Sequence, residues 1–196
     1  MKQFVETIRV ENGVPRLFAE HFARLQNTAL HYFGTSLEIS AQQLLPPPGI
    51  KENVLKCRVL YSGKIENIEF QPYQKRNIRN LKLVHDNCID YTYKSTDREQ
   101  LNRLLAQKGD ADEIIIVKNG FVTDSSFSNL LFENEEGLFT PSSFLLNGVQ
   151  RQSLLKSGLI RELCIREEDI SNFSKIHLIN AMLLPGDIVL GTNLVG

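Results

Sequence analysis

The chain has 196 residues, 42% of them hydrophobic and 23% charged, with a formal net charge of −1. That size allows one large domain or two small ones, and the near-neutral balance excludes general electrostatic attraction to nucleic acid or to an acidic membrane. Three widely spaced cysteines, Cys57, Cys88 and Cys164, fit no zinc spacing and are expected to be buried reduced thiols of a cytoplasmic protein; no run of about 18 apolar residues predicts a membrane span.

The first residues enter a strand pattern at once, so they do not read as a signal peptide. Residues 4–10 form that strand, Glu11-Asn12-Gly13 is a hairpin turn signal, and a short return strand is expected at 16–18. Residues 20–33 carry Phe22, Leu25, Ala29 and Phe33 at helical spacing, and Gly34 supplies a stop. A helical turn is expected at 42–45, ended by Pro46-Pro47-Pro48-Gly49. Strands at 54–61 and 64–70, joined at Ser62-Gly63, complete a small N-terminal α/β domain. The basic run 74–82 reads as a solvated face before it reads as a phosphate patch. A linker is placed at 86–93, which gives domains 1–88 and 89–196.

Beyond it, a helix is expected at 101–107, ending at Gly109. The clearest β signal follows: strands 113–117 and 121–123 around Lys118-Asn119-Gly120, then 129–132 and 138–140 around 134–137. Two successive hairpins imply one antiparallel sheet. A helix over 149–159 opens after Asn147-Gly148, and strands at 175–179 and 187–190 follow. The expected fold class is α+β, a small N-terminal α/β domain plus a larger, mainly antiparallel α/β domain.

Taken singly, the chemical signals are modest. The helix start at Asn147-Gly148-Val149 offers unpaired N–H groups and a positive dipole end, which can hold a phosphate or simply be capped. Ser125-Ser126-Phe127-Ser128-Asn129 is a hydroxyl-rich turn. His21, His31, His85 and His177 are scattered and read as surface or core residues. Spacing alone does not select Lys94 among the lysines.

The order of the pieces is more specific. Glu6-Thr7-Ile8-Arg9-Val10 with Asn12-Gly13, and Glu20-His21-Phe22-Ala23-Arg24-Leu25, come first. Tyr93-Lys94-Ser95 stands before a helix. Gly120-Phe121-Val122-Thr123-Asp124 and Ser128-Asn129-Leu130-Leu131-Phe132 follow, then Thr140-Pro141, Asn147-Gly148-Val149-Gln150-Arg151-Gln152 and Asn180-Ala181-Met182-Leu183-Leu184-Pro185. This series, running from residue 4 to residue 185, resembles the fold-type IV pyridoxal-phosphate enzymes, the class IV aminotransferases. Within them it is most similar to the aminodeoxychorismate lyase branch.

The resemblance implies a D-amino acid aminotransferase-like fold, pyridoxal 5′-phosphate as cofactor, a small amine or amino acid as substrate, a homodimer, and no nucleic-acid or membrane partner. It implies that Lys94 links the cofactor and then shuttles the proton at the substrate Cα. Arg24 would pair with the phosphate through its planar fork. The N–H groups of Val149 and Gln150 would bind the same phosphate, and Asn180 would add a side-chain hydrogen bond. Arg58, on a strand, is a candidate for the substrate carboxylate or one half of a surface ion pair. Asp124 stands where relatives carry Glu against the pyridine nitrogen. One methylene shorter, it must approach more closely, use a water, or be a turn residue. Glu99 occupies the offset at which branched-chain relatives have a tyrosine. Compared with typical relatives, residues ahead of the first strand, a glycine-rich loop near Ser62-Gly63 and a C-terminal tail are missing. The implied activity is that of a lyase releasing 4-aminobenzoate and pyruvate. The alternatives are an aminotransferase of branched-chain or D-amino acid type, or a shortened relative without catalysis.

Overall fold

The computed structural model describes residues 2–47 and 52–196, so the expected breaker at Pro48-Gly49 lies outside the described residues. The chain forms two units: Met1–Lys75 with Tyr93–Asp97, and Arg76–Thr92 with Arg98–Gly196.

The first unit holds β1 (Phe4–Glu11), β2 (Val14–Pro15), α1 (Phe18–Phe33), β3 (Val54–Tyr61) and β4 (Ile65–Pro72), with the strands in the order β2-β1-β3-β4. Asn12 and Gly13 have φ of 50° and 78°, the left-handed pair that a two-residue hairpin turn demands. That tight turn pairs Glu11 with Val14, so the return strand lies at Val14–Pro15 and not at 16–18. Leu17, at φ 52°, then swings the chain into α1 at Phe18, ahead of the predicted start at residue 20. Gly34 closes the helix at φ 64°, donating its N–H to the Leu30 carbonyl. The expected turn after residue 40 is a short 3-10 helix, Ala41–Leu44.

Strand alternation puts Phe4, Glu6, Ile8 and Val10 of β1, and Leu55, Cys57, Val59 and Tyr61 of β3, on one buried face. Leu25 and Ala29 of α1 join this core, on a helix stripe that also buries His21 and Thr28. Each large aliphatic side chain buried there contributes roughly 1.5–3 kcal/mol. Arg58 points to the other face of the sheet.

The free edge of β1 is closed by residues from later in the chain. Val5 donates to the Lys94 carbonyl at 3.1 Å, Ser95 bridges Phe4, and Thr96 donates to the Gln3 carbonyl at 2.9 Å. The Tyr93 ring stacks on His31 at 4.8 Å and meets Tyr32 edge-on at 4.9 Å. The first unit is therefore built from two stretches of chain, a grouping that differs from a single boundary after residue 88.

The second unit begins with β5 (Leu81–His85), a strand that the sequence pattern did not reveal. It pairs in parallel with β6 (Glu113–Lys118), which turns through Asn119-Gly120 into β7 (Phe121–Ser125). Between β5 and β6 lies α2 (Glu99–Leu105). Then come β8 (Asn129–Asn134), β9 (Gly137–Pro141), α3 (Val149–Lys156), β10 (Arg161–Leu163), β11 (Lys175–Ile179) and β12 (Val189–Gly191). Both predicted hairpins form, but in different sheets: β5-β6-β7 and β10-β9-β8-β11-β12. The single sheet expected from two successive hairpins is thereby corrected. Helix α3 stops at Lys156, before the predicted residue 159, because Gly158 takes φ 72°. Pairing is mainly antiparallel, with β5–β6 and β9–β10 the parallel exceptions. The fold is of the α+β class expected.

The part of the basic run that lies in the second unit is bonded within that unit. Arg79 pairs with Asp112 and Lys82 donates to the Gln107 carbonyl. Cys57 is buried, and burial pushes its thiol up to about 12. Cys88 and Cys164 are exposed, against expectation. Among the described residues no helix is long and apolar enough to cross a membrane.

Candidate functional site

In the first unit a charged cluster sits where an apolar core would be the default. Glu6 falls on the inward face of β1 by strand alternation and is 1% exposed. Arg24 and His21 lie three residues apart on α1, so both reach it from one helix face. Arg24 donates from Nε to Glu6 Oε1 at 2.9 Å and from Nη2 to Oε2 at 2.6 Å, the two-pronged geometry of a guanidinium–carboxylate pair. His21 Nδ1 lies 2.6 Å from the same Oε2. Burial opposes the charge on Glu6, but Arg24 and His21 outweigh it and hold the carboxyl down at about 2. Burial pushes the His21 imidazole below its usual range, so the ring is neutral and donates from Nδ1. Its Nε2 is buried without a hydrogen bond, on a small cavity lined by Ile8, Phe18, Phe22, Leu25 and Val59.

Lys94 belongs to this unit. Its backbone is fixed by the Val5 bond, its side chain is half-buried, and its charge is close enough to depress His21 further. Lys94 and Arg24 thus lie in the same unit, Lys94 bonded through its backbone to Val5 and Arg24 through its side chain to the adjacent Glu6. Arg58 does not join them. Arg58 pairs at 2.7 Å with Glu69, its cross-strand neighbour on β4, on the sheet face away from Glu6.

In the second unit Asp124 is 5% exposed near the end of β7. Its Oδ2 accepts the N–H groups of Leu145 and Leu146 at 3.1 and 2.9 Å, and its Oδ1 accepts the Asn129 amide at 2.9 Å. Burial pushes the carboxyl up to about 6, more than these donors pull it down. Beyond Leu146 the chain opens α3 at Val149 after Gly148, with no side-chain cap. The N–H groups of Val149 and Gln150 have no acceptor within the helix. Arg151, in the same first turn, is 2% exposed. Its guanidinium bonds Asn147 Oδ1 and the Pro141 carbonyl, pairs with Glu162 and lies 4.1 Å from the Phe144 ring centroid. Its Nε is buried without a hydrogen bond. A positive helix end backed by a buried cation is suited to an anion.

Asn180 is used locally. Its Oδ1 accepts the N–H groups of Met182 and Leu183, and its Nδ2 donates to the Phe127 carbonyl at 3.3 Å. It pins the loop after Asp124. Two residues that sequence reasoning passed over pin the same loop. Arg98 donates to the Ser126 carbonyl at 2.6 Å and to the Tyr91 hydroxyl at 3.4 Å, and buried Glu113 accepts the Ser126 N–H at 3.1 Å. Only the position of Arg98, four residues after Lys94, could have drawn attention to it. Glu99 is exposed at the start of α2.

Comparison with known proteins adds to this geometry. A family model for class IV amino-transferases matches residues 50–186. A Haemophilus influenzae protein of uncharacterized function is 37% identical over 93% of this chain and 98% of its own length. A Haemophilus somnus protein whose crystal structure carries the provisional name 4-amino-4-deoxychorismate lyase is 33% identical, with a TM-score of 0.83 over 93% of this chain and 97% of that one. A Mesorhizobium loti protein provisionally named an amino-acid aminotransferase matches over the full length of both chains with a TM-score of 0.82, at 20% identity, a likeness of fold alone. The short format is thus shared with each of these three proteins.

Proposed function

We propose, from the premise that this chain belongs to the class IV aminotransferase family, that it binds pyridoxal 5′-phosphate on Lys94 and acts as a lyase of the aminodeoxychorismate type, releasing 4-aminobenzoate and pyruvate. The observation that carries the reading is Lys94 held against β1 by its backbone bond to Val5, the neighbour of Glu6, whose carboxylate binds Arg24 and His21.

The residues present fit the group. A phosphate suits the open N–H groups of Val149 and Gln150, backed by the buried Arg151 whose Nε lacks a partner. A protonated ring nitrogen suits Asp124, whose burial leaves its negative charge under-compensated and favours an adjacent cation. When bound, the cofactor supplies an electron sink next to the substrate Cα.

Lys94 Nζ would hold the group and would be the base for the proton at that Cα. Arg24, whose Nε and Nη2 edge is taken by Glu6, would meet the phosphate with its remaining Nη N–H groups, its plane already held in one orientation by Glu6. Asp124 would hold a proton on the ring nitrogen. Asn180, Arg98 and Glu113 keep the Ser125–Ser128 loop in place around Asp124. Arg58 has a cross-strand role with Glu69. A homodimer belongs to the same reading.

The test is a visible spectrum of the purified protein with pyridoxal phosphate, followed by turnover of aminodeoxychorismate. We expect an absorbance band that Lys94→Ala abolishes, and pyruvate release with no 2-oxo acid added. Turnover that requires a 2-oxo acid acceptor identifies an aminotransferase instead. A Lys94→Ala protein that keeps both colour and turnover overturns the assignment, as does a wild-type protein with neither.

A further inference from the structure

Gly148, the residue before α3, poses a puzzle. Its φ and ψ are −67° and 142°, a conformation open to any L-residue. Glycine is therefore not needed for backbone freedom. It is needed for space: a Cβ at this position would lie 2.0 Å from Asn129 Oδ1 and 3.2 Å from its Cγ.

Asn129 itself is 6% exposed at the start of β8. Its amide nitrogen carries two hydrogens, and both are used. One goes to Asp124 Oδ1 at 2.9 Å, the other to the Leu146 carbonyl at 2.9 Å. Asp124 returns to the same segment through Oδ2, which accepts the Leu145 and Leu146 N–H groups. A closed ring of hydrogen bonds results, running from the end of β7 through one side chain of β8 to the segment that opens α3. The Asn129 Oδ1 face then rests on Gly148, one residue before the first N–H of the helix.

We propose that Asn129 is a positioning residue that fixes the spacing between the Asp124 carboxylate and the N–H groups opening α3, so that a rigid planar ligand is held at its ring nitrogen and at its phosphate together. The inference rests on the function proposed above and adds a residue to it. A flat, stiff ligand cannot adjust its own length, so the protein must set the separation of its two grips, and a misplacement of about 1 Å is enough to weaken binding strongly. The shorter Asp, compared with the Glu of relatives, fits the same picture: its carboxylate stays near the β7 backbone, where Asn129 and the 145–146 backbone can hold it.

The experiment measures affinity for pyridoxal phosphate and for pyridoxal, which lacks the phosphate, by spectroscopic titration of wild type, Asn129→Ala, Gly148→Ala and the double variant. Circular dichroism checks the fold of each. Wild type should prefer the phosphate form. Asn129→Ala should cut that preference at least tenfold, and it should shift the pH at which pyridoxal phosphate binding is half lost, because Asp124 loses a donor. Gly148→Ala should cut the preference by a similar factor by displacing Asn129. In the Asn129→Ala background the added methyl enters vacated space, so the double variant should be no worse than Asn129→Ala. A folded Asn129→Ala protein that keeps both the preference and the pH midpoint overturns the inference, as do losses that simply add in the double variant. If Asn129→Ala does not fold, Gly148→Ala decides: an unchanged preference there overturns it equally. A wild-type protein with no preference for the phosphate form sinks the proposed function instead, so the two failures are distinguishable.

Discussion

Glu6→Gln is the sharpest perturbation of the first unit. The side chain keeps its size, and the carboxylate that Arg24 and His21 share disappears. Its worth follows from how far the fold depresses the carboxyl. The ordinary carboxyl value of 4.5 falls to about 2 in the fold, and each pKa unit corresponds to about 1.4 kcal/mol, so the ionised group contributes about 3 kcal/mol. Removing one partner of a buried ion pair costs roughly 3–5 kcal/mol by independent reasoning, because the other charge is stranded. The folded-state pKa is depressed, so this contribution is fully present above pH 4.5 and is lost as pH falls through about 2. With no tryptophan in the chain, far-ultraviolet circular dichroism should follow urea unfolding of wild type and variant at several pH values. The expected difference is about 3 kcal/mol at pH 7, shrinking steadily below pH 4.5. A difference under about 1 kcal/mol at pH 7, or one that does not shrink in acid, refutes the argument.

Asp124 should behave in the opposite sense. Its folded pKa of about 6 lies above the ordinary 3.8, so its contribution to apo-protein stability is present below pH 3.8 and is lost as pH rises through about 6. Asp124→Asn should abolish that dependence in pH-resolved melts, and it should also flatten a pyridoxal phosphate affinity that otherwise falls below pH 6. Arg58→Ala should leave KM within about twofold and cost under about 1 kcal/mol, since an exposed cross-strand pair is worth little; a KM increase of about tenfold in steady-state kinetics would restore a substrate role. Arg151→Ala should destabilise the protein by about 3 kcal/mol in urea unfolding, because it strands the acceptors at Asn147 and Pro141 and opens space beside Phe144.

Local chemistry made much of the fold legible. Asn12-Gly13 and Asn119-Gly120 announced their turns because Asn and Gly accept positive φ, and α1 announced itself through its apolar spacing. Leu81–His85 went unseen because it follows a basic run and pairs in parallel, with no hairpin to flag it. Arg161–Leu163 is wholly exposed and carries no alternation. The site was half legible. Lys94, Arg24 and Asp124 are singled out by their order in the chain, and they carry the proposed function. The uses of Glu6, His21, Asn129 and Arg98 could not be read there, because each depends on which side chain arrives opposite it once distant strands and helices pack. Asn180 has a local use that its sequence position did not suggest, its oxygen accepting the Met182 and Leu183 N–H groups.

The five residues Tyr93–Asp97 carry one more consequence. On the ribosome, the sheet of the first unit emerges early yet stays open along β1 until this late stretch appears, so its closure must await synthesis well past β4. A fragment ending at residue 88 would therefore expose a raw strand edge, prone to borrow the missing segment from a second molecule. Supplying a short peptide that spans residues 90–98 to such a fragment should seal that edge, and would return Lys94 to it from outside.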